Sequence, residues 1–218
     1  MKYLPAILLF LISFACRADE AGMRLRYERT DAAYGLLHGA GTCFGVDLSE
    51  FGIPGDQWVM TAAHNVVTNE VPHDKIEIEI EGEWVPCSIV IYDKDTDICV
   101  LRSGKPPKKI LKMAKYDVAW GAALSMSASI AGAPVRTYEG KLVRHFWQGS
   151  SRSLATIQFG HGASGAPILD EFGRLAGIAL AGIPLEGDID PSQGLFFPIS
   201  SIKALIRTYI YRAAFVLP

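Results

Sequence analysis

The sequence predicts an all-β protein of two six-stranded antiparallel β-barrels followed by a C-terminal α-helix. Short apolar runs typical of strands recur along the chain, separated by Gly, Pro and Asp, which favour turns. A polar stretch rich in Lys and Pro divides these runs into two sets of six. The last segment, 200–214, instead carries apolar residues at helical spacing behind Ser200 and Ser201, two candidate caps. Because each set is too small to bury a sizeable core alone, we expect the two barrels to pack together.

The predicted strands follow one another at short intervals. The first six are 23–30, 36–47, 58–61, 76–80, 84–92 and 98–101. The second six are 122–130, 135–146, 154–159, 167–169, 175–181 and 195–198. Strict alternation of charged and apolar residues over 75–80 is typical of a strand with one wet face. We therefore expect an N-terminal barrel at 19–103, a linker at 104–112, and a C-terminal barrel with its helix at 113–218.

Composition and charge exclude several classes of protein. The 218 residues are 50% hydrophobic and 20% charged, which suits a folded chain and excludes a disordered one. The formal net charge is −2, and both signs are scattered along the sequence. No basic stripe is present to neutralise phosphates, so we expect no nucleic-acid partner.

The first 18 residues have the pattern of a secretory signal peptide. Lys2 supplies a positive charge, and the apolar stretch 4–14 that follows is too short to span a bilayer. Small residues at Ala15 and Ala18 offer two cleavage sites, so we expect a periplasmic or extracellular protein. Contact with a membrane is expected only through this signal or through a lipid anchor on Cys16, which the sequence leaves open.

Three cysteines remain once the signal is removed. They are Cys43, Cys87 and Cys99, an odd number, so at least one is unpaired or bonded to another molecule. Each lies in an apolar, strand-like run, where a thiol usually serves as a small buried hydrophobic group. No spacing of Cys or His indicates zinc, and we expect neither a metal nor another cofactor.

A glycine-rich turn around Ser164 is the most specific signal for chemistry. The run Gly160-His-Gly-Ala-Ser164-Gly-Ala-Pro167 surrounds one serine with small residues, so backbone N–H groups can turn toward a substrate carbonyl. A serine hydroxyl attacks such a carbonyl only when a base removes its proton and donors stabilise the oxyanion. His64 is the candidate base, and Asp97 is the candidate acid that would orient it.

The order of these residues separates the folds that host such chemistry. His64 precedes Asp97, and both precede Ser164. An α/β-hydrolase needs a histidine after its serine, and none follows His161. The subtilisin order needs an acid before the histidine and an alternating α/β chain, which this strand-rich sequence lacks. The remaining order is that of proteases built from two β-barrels.

Three motifs carry a resemblance to a known family. They are Thr61-Ala-Ala-His64, Asp97-Ile-Cys-Val-Leu101 and Gly162-Ala-Ser-Gly-Ala-Pro167. The chain resembles the trypsin/chymotrypsin-fold serine peptidases, and more closely the bacterial HtrA-like trypsin-like peptidases that lack a PDZ domain. The resemblance covers roughly 36 to 209 and implies chymotrypsin-like barrels and an exported bacterial serine endopeptidase. It also assigns the acid to Asp97, leaving the competing Asp93 and Asp95 as turn residues.

The resemblance implies a role for each motif residue. Ser164 would be the nucleophile, His64 its general base, and Asp97 the group that holds the imidazole in place. Backbone N–H groups of Gly162 and Ser164 would form the oxyanion hole. Ala163 stands where trypsin has an aspartate, so no ion pair with a newly cut N-terminus can order this turn.

The resemblance also implies where a protein or peptide substrate binds. Its binding residues would be Gln158, Phe159, Leu180, Ala181 and Gly182. No acid occurs at the expected base of the pocket, which favours a small or medium apolar residue before the scissile bond over Arg or Lys. The acidic segment 184–193 is expected to form a loop near this pocket.

Two other functions remain open at this stage. The same fold also occurs as a catalytically silent binding module, which the intact set of His64, Asp97 and Ser164 disfavours. It also occurs as an esterase, and the sequence does not separate that activity from peptide hydrolysis. Oligomeric state is likewise left open.

Overall fold

The computed structural model describes residues 21–31, 33–185 and 188–216, so the predicted signal peptide lies outside the described residues. The strands are β1 (Met23–Asp31), β2 (Gly35–Val46), β3 (Trp58–Ala62), β4 (Val67–Thr68), β5 (Val71–Pro72), β6 (Lys75–Ile80), β7 (Glu83–Asp93), β8 (Ile98–Ser103), β9 (Ile110–Leu111), β10 (Ala123–Ala128), β11 (Arg136–Arg144), β12 (Ser153–Ala155), β13 (Pro167–Leu169), β14 (Leu175–Leu185) and β15 (Asp188–Pro198). Helix α1 (Ile199–Val216) follows the last strand. Within the described part of the chain, no helix combines the length and the apolar character needed to cross a membrane.

The strands close into two barrels. In the first, β1, β6, β7, β8, β3 and β2 are neighbours in that order, and antiparallel pairing of β1 with β2 closes the ring. In the second, the order is β10, β11, β12, β15, β14 and β13, and pairing of β13 with β10 closes the ring. The predicted fold class, two six-stranded antiparallel barrels with a C-terminal helix, is therefore confirmed.

An apolar core joins the two barrels. Its buried members include Phe44, Met60 and Val100 from the first barrel, and Leu169, Ile178 and Phe197 from the second. Helix α1 adds Ile199, Ile202 and Ile206 to the same core. Each barrel also has an apolar interior of its own. Because fully buried side chains of both barrels share this core, we expect the barrels to unfold together.

The predicted linker contacts both barrels. Ile110–Leu111 forms β9, which pairs in parallel with the end of β2. Shortly after it, the N–H of Leu175 in β14 donates to Lys112 O at 2.9 Å, and Ala114 N donates to Leu175 O at 2.8 Å. The connection therefore fixes the ends of the two barrels beside each other.

The start of the helix differs from the prediction that a serine caps it. Asp117, which follows the linker, accepts hydrogen bonds from both the N–H and the hydroxyl of Ser200, at 2.9 and 2.6 Å. A carboxylate at this point also suits the positive end of the helix dipole. The cap is therefore supplied from a distant part of the chain, which local sequence does not reveal.

Two predicted elements need correction. The strand predicted at 154–159 ends at Ala155, because the chain leaves the sheet toward Ser164 while its apolar residues stay buried. The loop predicted at 184–193 is mostly a hairpin, in which Ile183 pairs with Asp190. The pairing then resumes at Gly194, so the intervening residues bulge from the ladder, where Pro and polar residues are tolerated.

The three cysteines within the described residues, Cys43, Cys87 and Cys99, all lie in the first barrel and are free thiols. Cys43 and Cys99 are fully buried, as predicted for small hydrophobic groups, and Cys87 is partly buried. Burial raises the pKa of each thiol, that of Cys87 to about 11. These side chains are therefore kept in the neutral form at physiological pH.

Candidate active site

His64 and Asp97 are brought together by the pairing of β3 with β8. Ala62, the last residue of β3, lies opposite Ile98, the first residue of β8. His64 comes just after Ala62 and Asp97 comes just before Ile98, so both lie at the same end of this strand pair. His64 Nδ1 lies 2.7 Å from Asp97 Oδ2, and the backbone N–H of His64 donates to Asp97 Oδ1 at 2.9 Å. The carboxylate therefore fixes both the ring and the backbone of the histidine.

The backbone of Asp97 is also held firmly. Its φ of +54° is in the left-handed region, which aspartate tolerates better than most residues. Its carbonyl accepts a hydrogen bond from Ala63 N at 2.9 Å. The competing Asp93 instead accepts from the N–H groups of Asp95 and Thr96, at 2.9 and 3.3 Å, and so organises the turn before Asp97.

Among the described residues, the backbone N–H groups of Gly162 and Ser164 have no hydrogen-bond partner. In a planar trans peptide, a carbonyl and the following N–H point in opposite directions. The carbonyl of His161 accepts from Ala131 N at 2.6 Å, so the N–H of Gly162 faces away from that bond. The carbonyl of Ala163 accepts from a backbone N–H three residues on, which turns the N–H of Ser164 in the same manner. Neither N–H donates a hydrogen bond within the described residues, and both residues border the same cleft.

The cleft between the barrels has a volume of about 500 Å³. Its lining residues are Tyr27, Ala40, His64, Asn65, Phe159, Gly160, His161, Gly162, Ser164, Leu180, Ala181 and Gly182. The histidine and the serine thus face the same space. The hydroxyl of Ser164 donates to Leu180 O at 2.7 Å, so in this structure its hydrogen bond is to the edge of β14.

Four of the five predicted substrate-binding residues border the cleft. Phe159 and the three residues 180–182 line it, whereas Gln158 is exposed and does not. Alternation explains the difference, since Ile157 and Phe159 turn inward and Gln158 turns outward. Phe159 is buried against Gly194, where an added Cβ would lie 2.8 Å from its ring. Phe159 therefore places an aromatic ring beside Gly194 in the lining of the cleft.

Sequence reasoning missed three residues that line the cleft, namely Tyr27, Ala40 and Asn65. Tyr27 pairs across β1 and β2 with Gly39 and stacks on His73, with ring centroids 3.9 Å apart. No motif marks Tyr27 in the sequence, and its position follows from the pairing of β1 with β2. Asn65 carries no comparable signal beyond its position next to His64.

The described lining residues carry no carboxylate, ammonium or guanidinium group. Among the described residues, no group of three or more His, Cys, Asp or Glu side chains is arranged to hold a metal ion. Polar chemistry in the cleft therefore comes from imidazole, hydroxyl and amide groups.

Residues 39–178 match the family model described as the trypsin-like peptidase domain. This match covers more than half of the chain. The chain belongs to the trypsin-like peptidase family. The resemblance and the expected enzyme class, a serine peptidase, are thereby confirmed. Comparison with curated protein sequences gives no significant match.

Solved structures of proteases share the fold of this trypsin-like peptidase. The inactive form of the Rv3671c protease from M. tuberculosis has a TM-score of 0.71 at 16% identity, covering 94% of this chain and 95% of that one. The active form has a TM-score of 0.69 at 16% identity, covering 93% and 85%. The serine endoprotease from Yersinia pestis has a TM-score of 0.67 at 17% identity, covering 89% and 64%. At such identities these likenesses concern the fold alone.

Proposed function

We propose that this chain is an exported serine endopeptidase that hydrolyses peptide bonds through an acyl-enzyme on Ser164. The observation that carries the proposal is the meeting of three elements at one cleft. These are the His64–Asp97 pair, the Ser164 hydroxyl, and the N–H groups of Gly162 and Ser164, which donate to no other described residue. A base, a nucleophile and oxyanion donors are the parts that acyl transfer requires.

Each part has one role in the proposed reaction. Ser164 Oγ attacks the scissile carbonyl carbon while its proton passes to His64 Nε2, and Asp97 stabilises the imidazolium that forms. The N–H groups of Gly162 and Ser164 bind the negative oxygen of the tetrahedral intermediate. The C–N bond then breaks, and His64 returns the proton to the leaving amine. Water attacks the acyl-enzyme by the same steps and releases the acid.

The hydrogen bond from Ser164 to Leu180 O sets the resting state before this reaction. Attack requires the hydroxyl to rotate from that carbonyl toward His64. A substrate strand that pairs with 180–182 would donate a backbone N–H to Leu180 O and displace the hydroxyl. Substrate binding would thus favour the rotamer that reacts.

The cleft favours an apolar residue before the scissile bond. Phe159 and Leu180 give the cleft an apolar lining, which suits a small or medium apolar side chain. The lack of a carboxylate in the described lining disfavours Arg and Lys, because a buried cation without a partner is costly. A peptide library derived from a proteome, digested and read by mass spectrometry, measures this preference directly.

Export is proposed from the N-terminal sequence. Expression of the full chain followed by cell fractionation and N-terminal mass spectrometry should find a product that begins after Ala15 or Ala18. A lipid on Cys16 would appear as a mass increase and as partition into detergent.

One observation favours the alternative of a silent binding module, namely the hydroxyl of Ser164 bonded to Leu180 O. A fluorophosphonate probe separates the two functions, because it labels only an activated serine. We expect wild type to be labelled at neutral pH and Ser164→Ala to be unlabelled. An unlabelled wild type would favour the binding module, and turnover of small esters without peptide cleavage would favour an esterase.

A further inference from the structure

The turn that carries Ser164 is held by residues of the opposite barrel. Asn65 Nδ2 donates to the carbonyl of Ser164 at 2.9 Å, although the two residues are 99 positions apart. Thr42 donates its hydroxyl to the carbonyl of Gly162 at 2.7 Å and its backbone N–H to the carbonyl of Ser164 at 3.2 Å. Both carbonyls that flank the proposed oxyanion donors are therefore anchored from the first barrel.

These two anchors belong to one buried polar network. The other N–H of the Asn65 amide donates to Thr61 Oγ1 at 3.0 Å, and Thr61 donates its hydroxyl to Thr42 O at 2.8 Å. Thr42 Oγ1 also accepts from Ser129 N at 3.0 Å. The four residues of this network, Thr42, Thr61, Asn65 and Ser129, are each at most 5% exposed. Both donors of the Asn65 amide are thus used, and the amide has a single orientation.

Two glycines leave room for this network. A Cβ on Gly41 would lie 2.5 Å from Asn65 Nδ2, so only glycine admits the amide there. A Cβ on Gly165 would collide with Thr42 O and Thr61 Oγ1, and the φ of Gly165 is +84°. Glycine at positions 41 and 165 therefore leaves the space that the side chains of this network occupy.

We propose that Asn65 and Thr42 are positioning residues that hold the Gly162–Ser164 turn in the conformation that presents its N–H groups to the oxyanion. This inference rests on the proposed function. Fixing the carbonyls of Gly162 and Ser164 limits rotation of the peptide planes on both sides of the Ser164 N–H. The anchors supply the order that an ion pair cannot supply here, because residue 163 is alanine.

The proposal also links the base to the nucleophile. Asn65 follows His64 in the same short helical turn, 63–65, which comes directly after β3. One turn of the first barrel therefore carries the imidazole and holds the carbonyl of the serine. A shift between the barrels would strain these hydrogen bonds, so the geometry of base and nucleophile depends on how the barrels pack.

Kinetics of matched variants test the proposal. Asn65→Ala removes the donor, and Asn65→Asp keeps the shape but presents a carboxylate oxygen to the carbonyl of Ser164. We expect kcat for peptide hydrolysis to fall about 10- to 100-fold in both, since loss of an entire oxyanion donor costs 10²–10³-fold. KM should change less than threefold, and the pH dependence of kcat/KM should keep its midpoint. Fluorophosphonate labelling should slow in parallel.

Thr42 offers a conservative pair. Thr42→Ser retains the hydroxyl and should keep kcat within threefold of wild type, whereas Thr42→Val has nearly the same shape and should lose about tenfold or more. Ser153→Ala is the control, because it removes a buried hydroxyl bonded to His145 away from the cleft. It should leave kcat unchanged. Unchanged kcat in both Asn65 variants, or a change in KM alone, would overturn the proposal.

Amide hydrogen exchange supplies a readout that needs no activity. In an inactive Ser164→Ala background, adding Asn65→Ala should speed exchange in fragments spanning 160–166 and leave those from β8 unchanged. Equal exchange in the two proteins would refute the positioning role even if the chain proves catalytically silent. If the fluorophosphonate probe fails to label wild type while Asn65→Ala still speeds exchange, the positioning role stands and the peptidase activity is refuted.

Discussion

The two barrels contribute to the cleft in different ways. In the first, the pairing of β3 with β8 brings His64 and Asp97 together, so this half of the site is held within one barrel. In the second, the carbonyl of Ser164 is held by residues of the first barrel, and its hydroxyl is bonded to Leu180 O. The comparison teaches that the base is preorganised locally, whereas the nucleophile depends on how the barrels pack.

Removing either half of the site should have the largest effect. We expect Ser164→Ala and His64→Ala each to lower kcat for peptide hydrolysis by roughly 10⁶-fold, and the double variant to lose little more, because the two groups act as one unit. Single-turnover assays with a peptide that the library digest shows to be cleaved would measure these losses. Multiplicative losses in the double variant would mean that the two barrels act independently. Unchanged melting temperatures would confirm that the variants are folded.

Weakening the base half alone should have the next largest effect. Asp97→Asn keeps the size of the side chain, but its amide can donate to the imidazole and so favours the wrong tautomer, which should lower kcat by roughly 10⁴-fold. Steady-state rates of peptide hydrolysis, measured at several pH values, give the size of this loss. Asp95→Asn is the matched control, since Asp95 is exposed in the same turn and should stay within twofold of wild type. An Asp97→Asn protein as active as this control would contradict the assigned role.

Local patterns in the sequence predicted most of the fold and the base half of the site. Alternation over 75–80 and the apolar runs around it predicted strands that agree closely with β1, β2, β3, β6, β7 and β8, whereas the short β4 and β5 were not predicted. His64 follows one predicted strand and Asp97 precedes another, and the structure pairs these two strands directly as β3 and β8. Such predictions succeed where the deciding interactions lie within one strand or between adjacent strands.

Contacts between the barrels escaped prediction. Asn65 and Thr42 reach the Ser164 turn from about a hundred residues away, and no spacing rule connects such positions. The strand predicted at 154–159 failed for a related reason, since burial of Phe159 persists after backbone pairing has ended. Sequence patterns report which residues are buried, but not which distant carbonyl a side-chain amide will reach.

Altering the turn itself should produce a moderate effect on the nucleophile half. Gly162 has a φ of +92°, and a Cβ there would lie 2.6 Å from Ser129 O, so Gly162→Ala must shift the backbone that carries an oxyanion N–H. We expect kcat to fall about 10²–10³-fold with little change in the His64–Asp97 contact. Gly173→Ala is the matched control, because its φ is also positive, at +72°, and no atom lies near the added Cβ. If both variants lose equal activity, backbone strain alone would explain the loss.

A further comparison concerns opening of the first barrel, which the reactivity of its thiols reports. Because burial raises the pKa of Cys87 to about 11, only about 10⁻³ of it is thiolate at pH 8, against roughly a quarter of an ordinary thiol. Alkylation of the native protein at pH 8 should therefore be more than 100-fold slower than in denaturant. The unfolded thiol loses its proton at lower pH than the folded one, so the free energy of unfolding should fall as pH rises from about 9 to 11.

The rate at which Cys43 and Cys99 are alkylated then measures whether the barrels open together. If the shared core around Phe44 and Phe197 couples them, labelling of these two thiols requires global unfolding. The free energy of opening from labelling rates should then equal the free energy of unfolding from urea denaturation. A clearly smaller value from labelling would mean that the first barrel opens alone. In that case each opening of the first barrel would separate Asn65 and Thr42 from the Ser164 turn. The turn would then lose these hydrogen bonds while the second barrel stayed folded.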